Sequence, residues 1–182
     1  MDSNMKNLDR LLTLSLHLLL IGCSATTSPV QTNGELTFGR YAFTPPAGHW
    51  FSPRKYQPGD NKSQAFVVTF WESRESISRK ILKKNETLIN FAISSNNFKN
   101  YQDYYDRASG SGITYEALPD EAKSLKNLQD WNCRQTQYSY YGIECVSLRK
   151  DLVTFGIYSN EKSAVMSQIP TLQKLIESFS VR

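Results

Sequence analysis

Residues 131–158, Trp131-Asn-Cys-Arg-Gln-Thr-Gln-Tyr-Ser-Tyr-Tyr-Gly-Ile-Glu-Cys-Val-Ser-Leu-Arg-Lys-Asp-Leu-Val-Thr-Phe-Gly-Ile-Tyr158, decide the fold class. The stretch is dense in β-branched and aromatic side chains, which fit a pleated surface. It divides into strands at about Trp131 to Tyr140, Ile143 to Leu148 and Leu152 to Tyr158. The breaks are a reversal near Tyr141-Gly142 and a charged turn at Arg149-Lys150-Asp151. Connections this short join antiparallel neighbours, so the expectation is a meander.

On the N-terminal side, Glu35 to Thr44 reads as a strand with Gly39 at a bulge, ended by Pro45-Pro46. Gln64 to Trp71 carries apolar residues on both parities and predicts a strand covered on both faces. The polar, proline-bearing residues between them, Ser52 to Ser63, predict a loop. Ser76 to Ile93 predicts an amphipathic helix, with Ile77, Ile81, Leu82, Leu88, Ile89 and Ala92 at helical spacing. Phe98, Tyr101 and Tyr105 fall at i, i+3 and i+7 on a short second helix that packs its rings on the sheet. Ser167 to Phe179 forms the last helix, with Pro170 in its first turn, where a missing backbone donor is tolerated. The expected class is α+β, an antiparallel sheet with helices packed on it.

The chain of 182 residues begins with Lys6 and Arg10, an apolar run from Leu11 to Ile21, and then Gly22-Cys23. That run is shorter than the roughly 20 residues a membrane span needs. It has the layout of a leader that is removed. Leu20-Ile21-Gly22-Cys23 resembles the lipobox of bacterial lipoprotein precursors. The resemblance implies a signal peptide over residues 1–22 and acylation of Cys23, the first mature residue. Asp2 and Asp9 oppose the two cations, so translation from Met5 suits the leader better. Ser24, in place of the Asp that marks inner-membrane retention in such lipoproteins, implies the outer membrane. The domain would then face the periplasm or, alternatively, the cell surface. Residues 24–34 are small, polar and uncharged. They predict a flexible tether behind Cys23 with a reach of about 18 Å, leaving residues 35–182 as one globular domain.

With Cys23 assigned to lipid, two of the three cysteines remain, Cys133 and Cys145. An exported protein meets an oxidising compartment, where these two flank a reversal and are expected to pair. The alternative is a pair of buried free thiols. Two cysteines with the lone mature histidine, His49, fall short of a zinc set, so no metal and no cofactor is expected.

Tyr41-Ala-Phe-Thr-Pro-Pro-Ala-Gly-His-Trp50 and the closing helix Leu172 to Phe179 resemble the PsbP-like fold, named for an extrinsic protein of photosystem II and also seen in bacterial envelope lipoproteins. The resemblance implies an α/β/α layered body and a role as an accessory or scaffold protein, and it carries no functional residue.

The residues themselves show no Gly-x-Ser-x-Gly elbow and no His-Glu-x-x-His helix. His49 reads as a turn residue beside a core Trp50. Glu72, Glu75, Asp103, Asp106 and Glu116 single out no catalytic pair. The net charge of +4 is modest for a nucleic-acid partner, and none is expected. Arg79, Lys80, Lys83 and Lys84 crowd two turns of the predicted helix. They form the candidate partner surface, suited to anionic lipid or an acidic envelope protein, with a solvated face as the plainer account. Tyr138, Tyr140 and Tyr141 are the densest of the ten tyrosines. The reading is a noncatalytic accessory or interaction module of the bacterial envelope, anchored to the membrane by lipid and not an enzyme. The alternative is a ligand-binding lipoprotein or a weakly marked hydrolase.

Overall fold

The computed structural model describes residues 28–52 and 66–182. The expected leader, the acylated Cys23 and most of the loop at 52–63 lie outside these residues. The chain runs through β1 (Val30–Gln31), β2 (Leu36–Phe38), β3 (Tyr41–Phe43), β4 (Trp50–Phe51) and β5 (Phe66–Trp71). There follow α1 (Arg74–Arg79), β6 (Thr87–Ser95), α2 (Tyr101–Ser109), β7 (Thr114–Glu116) and a 3-10 helix (Asp120–Asn127). The meander is β8 (Asn132–Gln137), β9 (Tyr141–Leu148) and β10 (Asp151–Ser159), and the chain closes with α3 (Lys162–Ser167), α4 (Ile169–Glu177) and β11 (Ser180–Val181). Eight strands form one sheet in the order β1-β4-β5-β6-β10-β9-β8-β7, while β11-β3-β2 form a smaller one. Every neighbouring pair is antiparallel. The protein is α+β, as the alternation of patterns predicts.

Period-two alternation gives the large sheet an inner and an outer face. Phe70 of β5, Phe91 of β6, Phe155 of β10 and Ile143 of β9 point inward and are fully buried. The small sheet closes over them through Phe43, whose ring lies 4.3 Å from Phe91 and 5.3 Å, edge-on, from Phe155. The last helix adds Ile169, Leu172, Leu175 and Ile176 to the same core, and Pro170 sits in its first turn as expected. Cys133 and Cys145 stand directly opposite each other in the β8–β9 ladder and form the predicted disulfide. Closing that short loop restricts the unfolded chain and stabilises the fold by about 3 kcal/mol on the chain-entropy estimate.

Four local expectations are corrected. The helix expected over Ser76 to Ile93 ends at Arg79, where Lys80 adopts the left-handed conformation with φ of 55°. Its second half is β6, paired on both sides with β5 and β10. Leu88, Ile89 and Ala92 satisfy helical spacing, but the run from Leu88 to Ile93 is apolar on both parities, and sheet pairing buries it more completely. Gly39 lies in a tight turn at φ of 60° that splits Glu35 to Thr44 into the β2–β3 hairpin, so it is no bulge. The meander reverses at Tyr138 to Tyr140, where the Tyr138 N–H donates to the Tyr140 carbonyl at 3.2 Å, and Gly142 lies within β9. Strand β5 is covered on one face only, since Val67 on the other is 58% exposed. In addition, Val30–Gln31, within the stretch expected to be tether, pair with Trp50 and Phe51. Phe51 is the buried residue of that pair, and Trp50 is half-buried.

Candidate functional site

The outer face of the sheet carries the polar chemistry. In β9 the alternation that sends Ile143 and Cys145 inward sends Gly142 and Glu144 outward, and the register sets Glu144 against Gly156 of β10 and Arg134 of β8. Tyr158, directly opposite Gly142, lays its side chain along the two glycines. A Cβ built at Gly142 would fall 2.4 Å from Tyr158 Cδ1, and one at Gly156 would fall 2.4 Å from its hydroxyl. Both positions are glycine because the ring occupies the space a side chain would need.

Helix α2 brings the other partners. Its N-cap Asn100 accepts from the Asp103 N–H at 2.9 Å, fixing the start of the helix over the sheet. Tyr104 of α2 and Tyr115 of β7 then donate their hydroxyls to Glu144 Oε1, each at 2.9 Å, and Tyr158 donates to Oε2 at 2.9 Å. Tyr105 packs at a tilt against Tyr115 with ring centroids 4.8 Å apart and hydrogen-bonds the Asn132 side chain at 2.9 Å. The Arg134 guanidinium lies over the Tyr105 ring at 4.4 Å. Burial, reinforced by the Glu144 charge, pushes the hydroxyls of Tyr104, Tyr115 and Tyr158 well above the usual phenol range, so they remain donors. A carboxylate offers about four acceptor positions, and three are taken.

Beside this cluster the outer face opens into a groove of about 330 Å³. Glu144, Tyr158, Thr136 and Asn90 reach it from the sheet, and Trp71 and Leu88 line one end. Tyr138 and Tyr140, from the β8–β9 turn, form the rim with Ile113. Thr69 donates to Asn90 Oδ1 at 2.7 Å, and both residues line the groove. Tyr138 is 66% exposed. A second depression, of about 570 Å³, lies at the β2–β3 hairpin. Its charges are matched internally, because Arg40 and Tyr41 both hydrogen-bond Asp151 Oδ2.

The residues the sequence put forward are dispersed. Glu75 pairs with Arg79 at 3.1 Å and with Lys83 at 2.5 Å, so two of the four cations in the candidate partner surface are locally neutralised. Lys80 and Lys84 are exposed and form no ion pair among the described residues. With the helix ending at Arg79, the four do not share one helical face. Glu72 accepts from the Thr87 N–H at 3.0 Å, Asp103 from Arg107 at 2.9 Å, Asp106 from Gln102 at 2.7 Å and Glu116 from Gln135 at 2.9 Å. Each of these carboxylates is held in its own local contact. His49 is half-buried, and desolvation lowers its pKa against the opposing charge of Glu72.

Glu144 and the tyrosines around it were not singled out from the sequence, although a carboxylate inside the apolar run Ile143 to Val146 is the signal that marks them. Among the described residues, no three His, Cys, Asp or Glu side chains converge, and no helix is long and apolar enough to cross a membrane. Comparison with known proteins finds no matching family model, no similar curated protein and no similar solved structure.

Proposed function

We propose that this protein is a lipid-anchored accessory or interaction module of the bacterial envelope, held at the outer membrane through Cys23, which binds through the outer face of its sheet without transforming what it binds. The observation that carries the binding role is the aromatic-rimmed groove over Glu144. A groove with apolar walls and a few fixed polar groups is built for recognition. The Glu144 carboxylate is committed to three tyrosine hydroxyls that hold it still, which suits positioning better than proton transfer to a substrate. The anchor rests on the lipobox resemblance. The placement of helices on the sheet supports a layered, PsbP-like body as the finer reading of the fold.

Site-specific photo-crosslinking in intact envelopes tests the binding role. A crosslinker at Tyr138, on the groove rim, should capture a discrete adduct, while one at Lys84, on the opposing candidate surface, should not. Adducts at Lys84 alone would return the partner surface to the basic cluster of Arg79, Lys80, Lys83 and Lys84. Cys23→Ser tests the anchor separately. The variant should lose acylation and membrane fractionation, and unchanged processing would refute the lipobox reading.

A further inference from the structure

We infer that the outer-sheet groove is a site for a small organic ammonium ion, an inference that rests on the groove being the binding surface. The first observation is charge. Glu144 lines the groove, and no ion pair to it forms among the described residues. Arg134, its cross-strand neighbour, turns its guanidinium onto the Tyr105 ring and does not line the groove. Among the described residues, no lysine or arginine does. Three hydroxyls hydrogen-bond the carboxylate without bringing a positive charge, so among the described residues the groove offers an acidic group with no paired cation.

The second observation is the composition of the walls. Trp71, Tyr138, Tyr140 and Tyr158 line the same groove as Glu144, and Tyr158 hydrogen-bonds it. Aromatic faces attract cations through the ring quadrupole, and rings grouped with a carboxylate form the arrangement that recognises ammonium groups. The third is hydrogen-bond capacity. Two hydroxyls fill Oε1 and one reaches Oε2, so one acceptor position remains for an N–H donor. A volume of about 330 Å³ suits a compact ligand or a single side chain. Two sources share this chemistry, a free amine and the ammonium of a lysine side chain on a polypeptide.

The test is an NMR titration of the protein, following the Trp71 indole N–H. Ethanolamine hydrochloride, Nα-acetyl-lysine methylamide and 1-propanol, the neutral isostere of protonated ethanolamine, are added separately. A saturable shift with either cation and none with the isostere supports the assignment, and the tighter cation identifies the source. The affinity should weaken with added salt. Glu144→Gln should weaken it about tenfold or more, because the charged partner is gone while an oxygen remains to accept from tyrosine. If that variant does not fold, Tyr138→Ala decides, since the exposed ring can be removed without touching the core. About threefold weaker cation binding is then expected. An equal response to the isostere, or no response to either cation, overturns the ammonium assignment. Neither result bears on whether the groove binds envelope partners, which crosslinking at Tyr138 reads.

Discussion

Gly156→Ala should unfold this protein at markedly lower denaturant, and the reason is a single side chain. The new Cβ would lie 2.4 Å from Tyr158 Oη, 2.5 Å from Cε2 and 2.6 Å from Cζ. Carbon atoms rest at about 3.5 to 4.0 Å, so the ring must lift by more than about 1 Å. Its hydroxyl is tied to Glu144 Oε2 at 2.9 Å, and a lift of that size breaks the bond. Overpacking of this kind costs about 1–3 kcal/mol. A lost hydrogen bond to a charged acceptor adds about 1.5–3 kcal/mol. Against these, replacing glycine stiffens the unfolded chain and returns about 0.4–1 kcal/mol. The net expectation is a loss of about 1.5–5.5 kcal/mol, read as a lower urea midpoint at unchanged slope. All three close contacts are atoms of Tyr158, so the same change in a Tyr158→Ala background should be neutral or slightly stabilising. A loss of similar size in both backgrounds would refute the account, because the strain would then lie in the backbone.

Reducing the disulfide, or replacing Cys133 and Cys145 with serine, should lower stability by about 3 kcal/mol. Thiol labelling of unreduced, denatured protein should find neither cysteine free, and labelling of both would exclude the bridge. Desolvation holds the His49 pKa below its ordinary 6.5, so the folded state favours the neutral ring. The unfolded state therefore binds the proton more readily, and stability should fall as pH drops below about 6.5, before the carboxylates titrate. His49→Gln should flatten that slope below about pH 6.5, and an unchanged slope would reject the assignment. Truncating Phe43, whose ring joins the two sheets over Phe91 and Phe155, to alanine should cost about 3–5 kcal/mol. Hydrogen exchange should show the β2–β3 hairpin and β11 loosening first, and uniform protection loss would argue against that ring as the link.

The Glu35 to Thr44 region, the meander and the closing helix show how far local pattern reaches. β8, β9 and β10 follow from strand-forming composition broken at two turns, and the last helix from five apolar residues on one face, Ile169, Leu172, Leu175, Ile176 and Phe179, because one or two turns of backbone decide both. Cys133 and Cys145 were legible as a pair for the same reason, since a hairpin places them near each other with little help from the rest of the chain. Residues 87–93 were not legible. Leu88, Ile89 and Ala92 satisfy a helix, but β5 and β10 offer hydrogen bonds on both edges and apolar neighbours on the inner face. Both strands are distant in sequence, so only the assembled sheet chooses between the two. Gly142 misled in a similar way, since a glycine after two tyrosines reads as a turn until Tyr158, sixteen positions later, is seen lying on it. The site needed tertiary structure most of all. Tyr104, Tyr115, Glu144 and Tyr158 come from a helix and three strands, and no spacing in the sequence links them. By itself the sequence determined the meander, the disulfide and the expectation of a lipid anchor, each by short-range pattern. The sheet register and the helix packed across it decided which carboxylate gathers the tyrosines, because that choice depends on contacts between residues far apart in the chain.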